Sequence, residues 1–96
     1  MKSESRTIFE VDYHELEREV KEAFGVDWNF AAAQEANNDT MNEFSVDGTL
    51  YDYEREEIAA FIDGTHDGDY LASALMNELC RLGRIEPGTY MVRVSW

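Results

Sequence analysis

Residues 63–69 come closest to a chemical motif. Asp63, His66, Asp67 and Asp69 stand there among Gly64 and Gly68. A calcium loop needs oxygen ligands at alternating positions and a later bidentate glutamate. The three aspartates supply part of that set, but the residue eleven after Asp63 is Ala74. A zinc site needs more histidine or cysteine than His66 offers. The simpler reading is local. Asp69 directly precedes a helical apolar stripe and suits an N-cap, and the two glycines give the connection its backbone freedom.

The other reactive side chains lack companions. Cys80 lies between core positions of a helix, and as a nucleophile it would need a histidine partner. His14 falls in the first turn of a helix and reads as a surface residue. Ser73 and Ser95 have no nucleophile-elbow context. No glycine-rich phosphate loop occurs. Glu56 and Glu57 are adjacent carboxylates within a larger charge field, and acid–base work would require a cleft around them. The expectation is a protein that is not an enzyme, with no cofactor and no metal.

The charge field is the strongest signal. The formal net charge is −13. Residues 22–80 hold 14 acids and one base, Arg55, whereas the remainder has seven of each. The whole excess therefore lies in the middle of the chain. Such a field repels nucleic acid and anionic membranes and attracts basic partners. Solubility is the plainest use of such charge. At 44% hydrophobic and 12% aromatic, the chain is too apolar for a disordered acidic tail. Its length suits one domain over 1–96, with 1–5 expected to be flexible. There is no apolar run long enough to span a membrane and no signal-peptide core near the start. A lone cysteine fits a cytoplasmic setting.

These side chains must be carried by elements that the patterning predicts. Residues 6–11 read as a strand, with Thr7, Phe9 and Val11 on one face. A helix follows, capped by Asp12 with Glu15 at capping-box spacing. Its stripe is Tyr13, Leu16, Val20, Ala23 and Phe24, and Gly25 ends it. Glu15, Glu19 and Glu22 share its solvent face with Arg18 and Lys21, in reach of i,i+3 and i,i+4 pairing. Residues 28–46 fit either a hairpin or a helix. The hairpin points Trp28, Phe30 and Ala32 inward on one strand and Phe44 and Val46 inward on the other, and the Asn37–Asp39 cluster favours it. The run of alanines from Ala31 favours helix.

A second helix is expected over 50–62, capped by Thr49 or Asp52, burying Ile58, Phe61 and Ile62. A third is expected over 70–82, burying Leu71, Leu75, Leu79 and Leu82, with Gly83 past its end. Pro87 and Gly88 suit the centre of a type II turn. A last strand places Tyr90, Val92, Val94 and Trp96 on one face. The predicted fold is α+β, a single small domain in the order β-α-β-β-α-α-β. Its antiparallel sheet would carry helices on one face, with both terminal strands inside the sheet.

In length, single-domain build, charge and lack of catalytic motifs, the chain resembles the small acidic inhibitors of phages and mobile elements. Anti-CRISPR proteins and DNA-mimic anti-restriction proteins belong to that class. The resemblance covers the chain as a whole and rests on no diagnostic motif, so it assigns no residue roles. It implies binding to a bacterial nuclease or surveillance complex, such as a CRISPR effector, and exclusion of nucleic acid from it. The expected partner is thus a basic host protein or ribonucleoprotein complex, met in the host-cell cytoplasm without direct nucleic-acid or membrane binding. The residues expected to meet it are Glu43, Asp47, Asp52, Glu54, Glu56, Glu57, Asp63, Asp67 and Asp69, with Tyr51 and Tyr53. The rival expectation is a small acidic adaptor anchored by exposed aromatics such as Tyr51, Tyr53 and Trp28.

Overall fold

Phe9 and Val11 alternate with Ile8 and Glu10, and this period of two sets the first strand, β1 (Ile8–Asp12). In the computed structural model, which describes residues 8–30, 41–66, 68 and 70–93, five further elements follow. They are α1 (Tyr13–Phe24), β2 (Met41–Val46), α2 (Asp52–Asp63), α3 (Ala72–Arg81) and β3 (Gly88–Arg93). The protein is a small α+β structure with a three-stranded mixed sheet. The expectations for residues 1–5, Thr7, Ala32, the Asn37–Asp39 turn, Asp67, Asp69, Val94 and Trp96 fall outside the described residues.

The strand order is β1-β3-β2. β3 runs antiparallel to β2, as expected, but parallel to β1. The expectation of an all-antiparallel sheet with both terminal strands inside it is corrected: β3 is central and β1 is an edge. The side chains explain the order. Tyr90 and Val92 are buried and have inward neighbours on both sides: Phe9 and Val11 on β1, Asn42 and Phe44 on β2. The flanking strands carry exposed Glu10, Glu43 and Ser45 on the opposite face, as suits edges. The helical connections between β1 and β3 permit the parallel pairing.

The proposed hairpin does not form as drawn. Residues 26–29 are not a strand, and β2 pairs with β3 instead. Trp28 and Phe30 nonetheless point inward, at 6% and 0% exposure, and join Phe44 in a run of edge-to-face rings. Trp28 is therefore buried and cannot be a surface anchor.

α1 and α3 lie against the inward face of the sheet, and α2 packs on α3. The stripe of α1 is as read: Tyr13, Leu16 and Val20 are buried, with Ala23 and Phe24 half-buried. Asp12 caps α1 by accepting from the His14 N–H, and Gly25 closes it in the left-handed region. In α3, Leu71, Leu75 and Leu79 are buried, but Leu82 is 47% exposed. Leu82 lies past the last turn, where Gly83 and Arg84 donate to the Cys80 and Leu79 carbonyls in a Schellman closure that turns the chain away. Ile62 of α2 is likewise 40% exposed, since Ile58 and Phe61 alone face α3. Gly88 does not complete a type II turn. Its φ of 156° is far from the value near 80° that such a turn needs, and it opens β3 opposite Val46.

Candidate functional site: the acidic face of α2

α2 begins at a cap that sequence reading misplaced. Neither Thr49 nor Asp52 caps it. Tyr51 is the N-cap, and its N–H donates to Glu54 Oε1 at 2.9 Å. Glu54 is thereby committed to the backbone. Asp47 is also committed, accepting the Thr49 N–H at 2.9 Å. The connection before α2 is held by a residue that sequence reading did not single out. Asn77, 7% exposed on α3, accepts from the Asp47 and Gly48 N–H groups and donates to the Ser73 carbonyl. Its only sequence signal was a polar residue at a position facing the core side of α3.

Helical geometry then sorts the remaining acids. Ile58 and Phe61 face α3. At about 100° per residue, Asp52, Glu56 and Asp63 fall in one stripe on the opposite side, together with Ala59. All four are exposed. The rise of roughly 1.5 Å per residue spaces the three carboxylates by about 6 and 10 Å along the axis. That is sparser than one DNA strand, with a charge per roughly 3.4 Å, but of the same order. Glu57 is half-buried at the flank of the stripe.

Two tyrosines stand at its N-terminal end. Tyr51 and Tyr53 are 66% and 60% exposed, with rings stacked at 5.8 Å and tilted by 10°. At the other end Asp63 occupies the last turn, which contains no base. The helix dipole disfavours a negative charge there. Glu43 belongs elsewhere: it is exposed on the face of the sheet away from the helices.

Compensation separates these acids from the others. On α1, Glu19 and Glu22 both meet Arg84, at 2.9 and 3.0 Å. Glu17 accepts the Phe30 N–H and lies 3.5 Å from His14. Lys21 reaches Asp27 at 3.2 Å. The ion pairs expected along α1 itself are thus replaced, for Glu19 and Glu22, by a base from beyond α3. On α3, Glu78 forms a two-point pair with Arg81, which holds its carboxyl below the usual range. Among the described residues, no ion pair engages Glu43, Asp52, Glu56, Glu57 or Asp63.

The connection from α2 to α3 is tight. Gly64 and Thr65 close α2 by donating to the Phe61 and Ala60 carbonyls. His66 Nδ1 accepts the Gly68 N–H at 2.9 Å. Gly68 is buried at a φ of 91°, and a Cβ there would lie 2.9 Å from the Phe61 ring and 3.2 Å from that of Trp28. Only glycine fits this approach. Tyr70 follows in the left-handed region at φ 58°, which is costly for a residue with a Cβ. The cap of α3 falls at Leu71.

Among the described residues, no group of three His, Cys, Asp or Glu side chains could hold a metal ion. Cys80 is half-buried, and burial, with the charge of Asp47, pushes its thiol up. It is held protonated, the opposite of an activated nucleophile. His14 is exposed, with its ring 4.0 Å from that of Tyr13. No described helix is long and apolar enough to cross a membrane. No family model, curated protein or solved structure matches the chain.

Proposed function

We propose that this protein is a non-enzymatic inhibitor that presents the acidic face of α2 to a basic nucleic-acid-binding site. The owner of that site would be a bacterial defence protein of the CRISPR-effector kind, met in the host cytoplasm. One observation carries the reading: among the described residues Asp52, Glu56 and Asp63 share an exposed stripe without ion-pair partners, while Glu19 and Glu22 on α1 and Glu78 on α3 are paired with arginines. Exposed charge without an internal partner keeps its full field for an incoming base. A lysine- and arginine-lined groove built for phosphates would accept that stripe and lose access to nucleic acid. Asp47, Glu54 and Glu57 add background charge near it. Glu43 lies outside the docking face.

The test is regional charge reversal. Asp52→Lys, Glu56→Lys and Asp63→Lys together should weaken binding to a basic nuclease by about a hundredfold or more and restore its cleavage of DNA. A control carrying Glu10→Lys, Glu15→Lys and Glu86→Lys changes the net charge equally, at exposed positions off α2. It should lose far less. Affinity should also fall steeply with salt, since exposed charges are screened over about 8–10 Å near physiological ionic strength. Equal losses in both triples would reduce the effect to net charge. A salt-independent affinity that survives the α2 triple would favour the second reading, an adaptor anchored by exposed Tyr51 and Tyr53.

A further inference from the structure

We infer that the Tyr51–Tyr53 stack selects arginine in the partner, so that the protein favours an arginine-rich segment over a lysine-rich one of equal charge. The inference rests on the acidic-face reading and adds the chemistry of the contact. Both rings are more than half exposed and lie nearly parallel, with centroids 5.8 Å apart. Their backbone is held in place: the Tyr51 N–H donates to Glu54 at the helix cap, and Tyr53 sits in the first turn of α2. Neither position needs an aromatic ring for the fold, because Ile58 and Phe61 make the buried contacts of this helix.

The charge around the stack sets the sign of the ligand. Glu56 and Glu57 lie three and four residues beyond Tyr53, the spacings that make helix neighbours. Asp52 lies between the two tyrosines in sequence. Against these three carboxylates and Glu54 stand one full positive charge, the exposed Arg55, and about half a charge from the helix N-terminus, so the local sum stays negative. A cation is therefore favoured there. A guanidinium can lie flat on a tyrosine face and direct its fork of N–H donors at a neighbouring carboxylate. An ammonium is a compact, strongly hydrated point charge and satisfies the carboxylate but not the ring face. Acids alone would scarcely tell the two apart, so the tyrosines are the selective part.

The experiment titrates the full chain by calorimetry with nona-arginine and nona-lysine peptides. The proteins are wild type, Tyr53→Phe, and the double variant Tyr51→Leu, Tyr53→Leu. Leucine keeps apolar bulk and removes the ring face, and a thermal melt checks that the fold is intact. Wild type and Tyr53→Phe should bind the arginine peptide about three- to tenfold more tightly than the lysine peptide. In the double leucine variant that ratio should fall to about one, while binding of the lysine peptide stays nearly unchanged. Equal affinity of wild type for the two peptides, or a ratio that persists in the double variant, would overturn the inference. If the ratio is one yet reversing Asp52, Glu56 and Asp63 abolishes binding of both peptides, the acidic face stands and arginine selection falls. If wild type binds neither peptide, both fall.

Discussion

On α1, Arg84 holds Glu19 and Glu22 from the far end of the chain, Lys21 sits in the last turn, and Glu17 is tied to the Phe30 backbone. On α2, which is equally long, Asp52, Glu56 and Asp63 line the face away from the core with no ion-pair partner among the described residues, and the last turn ends on an acid. Both helices look acidic in sequence. In the folded chain α1 ties up Glu17, Glu19 and Glu22 in internal contacts and leaves Glu15 open, whereas α2 ties up Glu54 and leaves the whole stripe opposite its core face open. A count of acids therefore cannot locate an electrostatic site. What matters is which carboxylates the fold leaves uncompensated, and at Asp63 the fold does so against its own helix dipole.

The largest expected effect removes the platform under both helices. α3 contacts α1, α2 and β2, and Leu75 is fully buried in it. Leu75→Ala should cost about 2–5 kcal/mol in urea-induced unfolding. A cost below about 0.5 kcal/mol would mean that α3 is not the common support, and the two helices would then have no shared frame for comparison.

A smaller change should separate them. Asn77→Ala leaves the Asp47 and Gly48 N–H groups without their acceptor, at a cost of about 1–3 kcal/mol. The loss should be local to the entry of α2. Hydrogen exchange should speed up at Asp47, Gly48 and the first turn of α2, with little change in α1. Uniform acceleration across both helices would show that the Asn77 clamp serves the whole fold rather than the placement of the acidic face.

The smallest pair of effects should have opposite signs. Arg84→Gln removes the partner of two α1 acids and should destabilise by about 0.2–1 kcal/mol, because the pair is partly exposed. Asp63→Asn removes an acid from the wrong end of α2 and should stabilise by about 0.3–1 kcal/mol, while weakening binding to a basic partner. Chemical denaturation measures both. If both variants lose stability, Asp63 has a stabilising role in the fold, and the contrast between tied and open acids fails at that residue.

Short-range physics made much of this legible beforehand. Asp12 and Gly25 bracket α1 as read, because a cap and a left-handed terminus depend on a few neighbouring residues. The burial of Leu71, Leu75 and Leu79, and of Tyr90 and Val92, follows from periodicity alone. The α+β class follows from the same patterns. Along α2, the acidic stripe opposite Ile58 and Phe61 is implicit in the spacing of Asp52, Glu56 and Asp63, and the exposure of Tyr51 and Tyr53 was expected with it.

The rest was decided only by the folded chain. The place of β3 between β1 and β2 depends on how much inward surface each strand offers its neighbours, which no single strand reveals. For Trp28 the alternation with Phe30 pointed inward and the adaptor reading pointed outward; the fold settles it inward, where Phe30, Phe61 and Gly68 meet. Arg84 lies 65 residues from Glu19, and Asn77 lies 30 from Asp47. Periodicity reports which side of an element is apolar, an interaction within one or two turns. It cannot report which distant base or amide will come within 3 Å of a given acid or N–H group, and that choice separates the compensated acids of α1 from the open face of α2.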